Sequence, residues 1–276
     1  MRDLVGRSSV RNVIFMMRQV ERHKTVLIVE GDSDSRSFSR LIRASHCKTF
    51  SPGYPGGKEQ ALALFDDLKQ KHLPGVAALV DADSDRFWGR NRSHPDVCWT
   101  SATDREVMII QSQAFAAFVA DNFATDAEAL RLQILNASFP LGCIRTMSRR
   151  NQWALDFKAV DVSAFTEIPT IKCDEHACCV EVLGRNPTSG LSQDDLKAAI
   201  AAVRARNPNL DDVVCGHDAT EILSLVSGPT LAKALSYGQI ERQLADRYAP
   251  EDFANTSTYQ ECVQWENRNP PYLINL

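Results

Sequence analysis

Long hydrophobic runs are missing from this sequence. Apolar stretches such as Val13 to Met17 and Val76 to Val80 stop after five residues, far short of the roughly 18 that a helical bilayer span needs. No membrane association is expected. An excess of one charge is missing as well. The 31 Lys and Arg against 35 Asp and Glu leave a net charge of −4, so there is no global basic field of the kind that drives non-specific nucleic-acid binding, although a local basic groove stays open. The early apolar stretch is interrupted by Arg11 and Arg18 and lacks a small-residue cleavage site, which points to the cytoplasm. In that compartment the eight cysteines read as reduced, mostly buried thiols. A Walker A loop is absent too. Gly53 to Glu59 has the wrong spacing and no Ser or Thr after Lys58, so no nucleotide cofactor is expected in this chain. There is no internal repeat and no low-complexity tract. With 44% hydrophobic and 24% charged residues the composition is that of an ordinary globular protein, which excludes disorder.

Residues 8–22 place Val10, Val13, Ile14, Met17 and Val20 at helical spacing behind Ser8 or Ser9, the pattern of an amphipathic leading helix laid on a sheet. Thr25 to Val29 is a β-branched apolar run that ends at Glu30-Gly31 and gives way to a helical pattern through Phe38, Leu41 and Ile42. A second strand at Lys48 to Phe50, a breaker cluster from Pro52 to Gly57, and a helix through Leu62, Leu64, Phe65 and Leu68 continue the alternation. Gly75 to Val80, apolar on both faces, suits a buried parallel strand. Val97 to Thr100 is a fourth strand, followed by a helix over about 104–123. Residues 1–110 are therefore expected to form an α/β domain, Rossmann-like with a mostly parallel sheet. Residues 111–276 read as a mostly helical region, with helices near 112–123, 126–137, 192–206, 218–227, 229–247 and 256–266 and a β-hairpin near 168–183.

Acids gather where the strands end. Glu30 closes the first strand and Asp81 and Asp83 close the third, at the carboxyl edge where open α/β sheets build their sites. One residue apart in an extended chain, Asp81 and Asp83 would send both carboxylates to one face and share a hard cation. Asp34, four residues past Glu30, and Asp104 and Glu106 after the fourth strand extend the set, while Asp85 either joins it or starts a turn. Six or seven carboxylates at one edge repel each other unless cations neutralise them, so Mg²⁺ or Mn²⁺ is the expected cofactor. Helix caps and turns explain Asp32, Asp34, Asp104 or Asp83 to Asp85 taken singly. They give no reason for Glu30 and Asp81 to end apolar strands.

Val26-Leu27-Ile28-Val29-Glu30-Gly31-Asp32-Ser33-Asp34 followed by Ala78-Leu79-Val80-Asp81-Ala82-Asp83 resembles the Toprim signature of topoisomerases, bacterial primases and OLD nucleases. The resemblance covers about the first 110 residues. The acid four after Glu30 and the pair in Asp104-Arg105-Glu106 resemble the OLD branch most. Further on, Gly216-His217-Asp218, Ile240 to Arg242, Tyr248, Phe253 and Trp265 to Asn267 resemble a Toprim family whose members stand beside, or are fused to, ABC-type ATPases. Some of these are the Toprim effector of two-component anti-phage systems of the PARIS kind. The resemblance implies a Toprim domain and a metal-dependent nuclease acting on DNA or RNA, transfer RNA included. It also implies a role in antiviral defence under the control of an ABC-type ATPase. Asp81 and Asp83 would hold Mg²⁺ together with Glu30 or Asp34, Asp104 and Glu106 would place a second ion, and Glu30 alternatively serves as general base. The basic residue that such nucleases carry downstream has no motif here, because Cys215 stands before Gly216 where a lysine would be expected. His217 and Lys58 are the further candidates.

Other signals have plainer readings. Cys173, His176, Cys178 and Cys179 lie within seven residues but match no zinc spacing, and strand alternation would send Cys178 and Cys179 to opposite faces. Asp218 with Glu221 three positions on reads as a capping box. Arg145, Arg149 and Arg150 beside Trp153 line a nucleic-acid groove or form a solvated basic loop. The alternative to an enzyme is a non-catalytic regulatory or scaffolding subunit that binds an ATPase partner through its helical half; a second copy of the chain is kept as a further partner. A haloacid-dehalogenase-like phosphatase with Asp81 as nucleophile fits less well, since its Asp-x-Asp strand comes first.

Overall fold

The structure, a computed structural model, describes residues 7–53, 55–89, 94–230 and 234–274. The chain divides into two compact units. The first comprises residues 1–82, 91–101 and 249–276, the second residues 83–90 and 102–248. A single cut at residue 110 is therefore replaced by a boundary that the chain crosses several times.

In the first unit, α1 (Arg7–Val20) precedes β1 (Thr25–Ile28), α2 (Asp32–Phe38), β2 (Cys47–Phe50), α3 (Lys58–Gln70) and β3 (Val76–Val80). After β3 the chain contributes a short helix, α4 (Asp85–Trp88), to the second unit and then returns as β4 (Val97–Trp99). The strands form one sheet in the order β2-β1-β3-β4, every pair parallel. The α/β expectation holds, and the arrangement is compatible with a Rossmann-like fold. The unbroken apolar runs explain it, because Val26, Leu27, Ile28 and Val76 to Val80 are buried on both faces. The helix α1 lays Val10 and Ile14 on this core beside Leu64, Phe65 and Leu68 of α3. Two residues expected on its buried face, Val13 and Val20, are 49% and 85% exposed together with Met16 at 67%. The buried face runs instead through Val10, Ile14 and Arg18, with Phe15 and Met17 partly buried beside them. The helix is already formed at Arg7, ahead of Ser8 and Ser9.

The second unit starts with α4 and continues through α5 (Arg105–Ile110), α6 (Gln113–Asn122) and α7 (Ala127–Asn151). The single helix expected over 104–123 breaks at Ser112, whose Oγ accepts the Ala114 N–H at 3.1 Å. Helix α7 runs well past 137 and straight through Pro140. Proline forfeits one backbone bond, but Ser138, Phe139, Pro140 and Leu141 are all buried, and that packing carries the helix on. The hairpin near 168–183 shrinks to two-residue strands, β5 (Thr166–Glu167) and β6 (Lys172–Cys173), paired antiparallel. Its second half is instead α8 (Glu175–Arg185), started by Asp174, which accepts the His176 and Ala177 N–H groups. Cys178, Cys179 and Val182 are buried on that helix, so strand alternation does not govern the cysteines. Burial pushes the Cys179 thiol up to about 11. All eight cysteines are free, and six of them are buried. Then come α9 (Gln193–Arg204), α10 (Gly216–Thr230) and α11 (Tyr237–Arg247).

The last two helices, α12 (Pro250–Ala254) and α13 (Ser257–Arg268), belong to the sheet unit. Cys262 and Trp265 of α13 are fully buried, and Glu261 Oε2 accepts the Trp99 N–H of β4 at 2.8 Å. Thr25 Oγ1 donates to the Leu273 carbonyl at 2.7 Å. Gly75, at φ +63°, sits under the Tyr272 ring, 2.2 Å from where a Cβ would stand. Among the described residues, no helix is long and apolar enough to cross a membrane.

Candidate functional site

In the sheet unit the site begins where β1 and β3 end. The two strands pair directly, so Glu30 and Asp81 are neighbours as their positions in the sequence predict. The Asp81 N–H donates to Glu30 Oε1 at 2.8 Å, and both residues are half-buried. The Glu30 carbonyl accepts the Gly57 N–H at 2.9 Å. Gly56 and Gly57 take positive φ of 57° and 92°, a turn conformation that favours glycine and brings the start of α3 up to Glu30. Asp34 lies in the first turn of α2, its Oδ2 3.5 Å from where a Cβ on Gly31 would stand. Asp32 is exposed and takes up Ser51 Oγ. Lys58 opens α3 with Nζ 3.4 Å from the Ala82 carbonyl and 5.0 Å from the centre of the Trp99 ring. The ammonium therefore lies beside the chain that follows Asp81.

Asp83 departs from expectation. Its φ is +50°, a left-handed backbone that ends the strand alternation on which a face shared with Asp81 depended. Within the second unit its N–H donates to the Thr103 carbonyl at 2.6 Å, and its Oδ1 meets Arg149 Nη1 at 2.7 Å. Asp85 sits in the first turn of the four-residue α4.

Asp104 is held by two helix starts. Its Oδ1 accepts the Val107 N–H at 2.9 Å, capping α5, and its Oδ2 accepts the Gly216 N–H of α10 at 2.8 Å. Both bonds favour the ionised carboxylate, but burial and then the neighbouring Glu106 outweigh them and push Asp104 up to about 7. Glu106 pairs with Arg105, whose Nη2 also meets Glu241 at 2.9 Å. Gly216 is dictated by this contact. A Cβ there would stand 2.4 Å from Asp104 Oδ1, 2.4 Å from Glu106 Cβ and 2.9 Å from the Val107 nitrogen.

The capping-box reading of Asp218 gives way to a different role. Asp218 lies inside the first turn of α10, 2% exposed, and takes a two-pronged bond from Arg145 Nε and Nη2 at 2.8 and 2.7 Å. Glu221 instead pairs with His217 Nε2 at 3.2 Å and holds that imidazole above its ordinary value. The His217 ring lies 4.5 Å from that of Tyr237.

Asp83, Asp104, Arg145 and Arg149 are among the residues that line a cavity of about 410 Å³ inside the second unit. The arginines lie on the last turns of α7, not on a loop. They were weighed in the sequence without a partner, and their spacing of four on one helix face was the available signal. Arg150 stacks on Trp88 at 4.2 Å.

The carboxylates do not collect into a single cage. Among the described residues, no three His, Cys, Asp or Glu side chains stand close enough together to hold a metal ion. Within each unit the acids have local partners, Glu30 the Asp81 amide, Asp83 Arg149, and Asp104 two helix starts. One or two carboxylates per ion, completed by water and phosphate, is nonetheless the usual donor set of Mg²⁺, and pairs of this kind are present in each unit. No protein-family model matches the chain, and no curated protein matches it.

Proposed function

We propose that the chain is a Toprim-type, divalent-metal-dependent nuclease of the cytoplasm that hydrolyses phosphodiester bonds of DNA or RNA and serves as the effector of an anti-phage system controlled by an ABC-type ATPase. The observation that carries the reading is the joining of Glu30 and Asp81, two acids at the carboxyl ends of adjacent, fully buried parallel strands. A stable fold has no need of acids there, and open α/β sheets bind ligands at that edge. Glu30 and Asp81, with Asp34 nearby in sequence, are the proposed ligands of one Mg²⁺ or Mn²⁺. Asp83, Asp104 and Glu106 are those proposed for a second. Such ions, when bound, lower the pKa of a water and stabilise the leaving oxygen of a phosphodiester. The chain's own share is positioning. The Asp81 amide fixes one oxygen of Glu30, Arg149 fixes Asp83, and Gly216 and Val107 fix Asp104.

The test is cleavage of DNA, RNA and transfer RNA by purified protein with Mg²⁺ or Mn²⁺, with and without the ATPase partner. Asp81→Ala and Asp83→Ala should abolish cleavage and leave the circular-dichroism spectrum unchanged. Absence of cleavage under every condition removes the catalytic reading.

A second reading, a non-catalytic subunit that binds the ATPase, is favoured by the exposed Val13, Met16 and Val20 on α1, which lies in the sheet unit and not in the helical half expected to make that contact. Such a stripe suits a protein contact. Under this reading Asp81→Ala leaves the biological effect intact while Met16→Glu removes it.

A further inference from the structure

The second unit's cavity has more than acids in its walls. Arg145 is fixed, since Asp218 takes two of its nitrogens and its guanidinium lies 4.4 Å from the centre of the Phe157 ring. Arg149 is held differently. It reaches Asp83 through Nη1 at 2.7 Å, and its side chain is 57% exposed, so the rest of its guanidinium remains available to an anion. Leu155, Phe157 and Val213 give the cavity an apolar wall, and Thr146, Ser148 and Gln152 add hydroxyls and an amide. Gln152 ends α7 in the left-handed cap conformation, its N–H on the Ser148 carbonyl, which sets its side chain at the cavity wall.

We propose that this cavity receives one nucleotide of the nucleic-acid substrate, with the phosphate on Arg149, the base against Leu155 and Val213, and the Gln152 amide at the edge of the base. The volume, about 410 Å³, falls within the range of small-molecule sites. A guanidinium arm, an apolar wall and an amide are among the groups by which proteins take up an unstacked nucleotide. An amide both donates and accepts, so it distinguishes one base edge from another. Phe157, fixed by Arg145, limits how far the base can enter. The inference rests on the nuclease reading for its substrate, but the cavity's affinity can be measured without cleavage.

Titration calorimetry of the full chain in EDTA, with each of the four nucleoside 5′-monophosphates and with inorganic phosphate, tests it. The nucleotides should bind more tightly than phosphate. Arg149→Ala should weaken them by about tenfold or more, and Gln152→Ala should change the ranking of the four bases while binding persists. Phosphate binding as tightly as the nucleotides, or an Arg149→Ala variant with wild-type affinity and an unchanged circular-dichroism spectrum, overturns the proposal. Nucleotide binding by a protein that cuts no nucleic acid keeps this inference and removes the nuclease. Cleavage whose sequence preference is the same in Gln152→Ala, by a protein that binds no mononucleotide, keeps the nuclease and removes this inference.

Discussion

In the sheet unit an acid is placed by strand pairing. β1 and β3 run side by side, and the Asp81 amide reaches the Glu30 carboxylate at 2.8 Å. In the helical unit the acids are placed by helix ends and arginines: Asp104 by the starts of α5 and α10, Asp218 by Arg145, Asp83 by Arg149. The first arrangement follows from backbone topology. In the second, the carboxylates also hold the fold together. Substituting Glu30 or Asp81 should therefore damage activity with little loss of stability, whereas substituting the buried, arginine-paired Asp218 should damage stability.

The largest stability effect is expected at Asp218. Removing one partner of a buried pair strands the other charge, and Asp218 is 2% exposed. Asp218→Ala should cost about 3–5 kcal/mol in urea unfolding. Glu30→Gln keeps an acceptor for the Asp81 amide and should cost less than about 1 kcal/mol. Equal costs at the two positions would erase the contrast.

Gly216→Ala comes next. The added methyl meets Asp104, Glu106 and the backbone of Val107 within 3 Å, and overpacking of this kind costs about 1–3 kcal/mol. A crystal structure of the variant should show the start of α10 displaced from Asp104; an unshifted start with wild-type stability would contradict the close contact.

Asp104 sharpens the comparison through pH. Its carboxyl is raised from 3.8 to about 7 in the folded protein, so between about pH 4 and 7 the native state holds a proton that the unfolded chain has released. Stability of the metal-free protein should fall as pH rises through that window, by up to about 1.4 kcal/mol per pH unit, and level off above it. Asp104→Asn should flatten the slope in urea melts run at several pH values. A slope unchanged in the variant would place the titration elsewhere. A modest effect is expected at Ser112, the cap that separates α5 from α6. Ser112→Ala should lower stability by about 1 kcal/mol, and no loss would mean that the helix break is set by packing alone.

The same contrast explains what could be read in advance. Buried apolar runs imply parallel neighbours, so β1 to β4 and the meeting of Glu30 with Asp81 were legible from the chain. The helical unit was less so. Pro140 reads as a helix stop, yet surrounding burial carries α7 on to Asn151, and without those extra turns Arg145 and Arg149 look like loop residues. The stretch 175–183 reads as half of a hairpin because adjacent cysteines and β-branched valines resemble a strand, although Asp174 as cap and the spacing of Cys178 to Val182 both fit a helix. Gly216 touches Asp104 across 112 positions of sequence, and no local pattern encodes a contact of that length.

The central claim is tested most directly by one assay of single-site variants, in which cleavage of labelled DNA, RNA and transfer RNA is followed with Mg²⁺ or Mn²⁺, with and without the ATPase partner, for wild type and Glu30→Gln. The account predicts metal-dependent cleavage by the wild type and none by Glu30→Gln at unchanged unfolding midpoint. Wild-type cleavage rates in Glu30→Gln, or no cleavage by either protein, would contradict it.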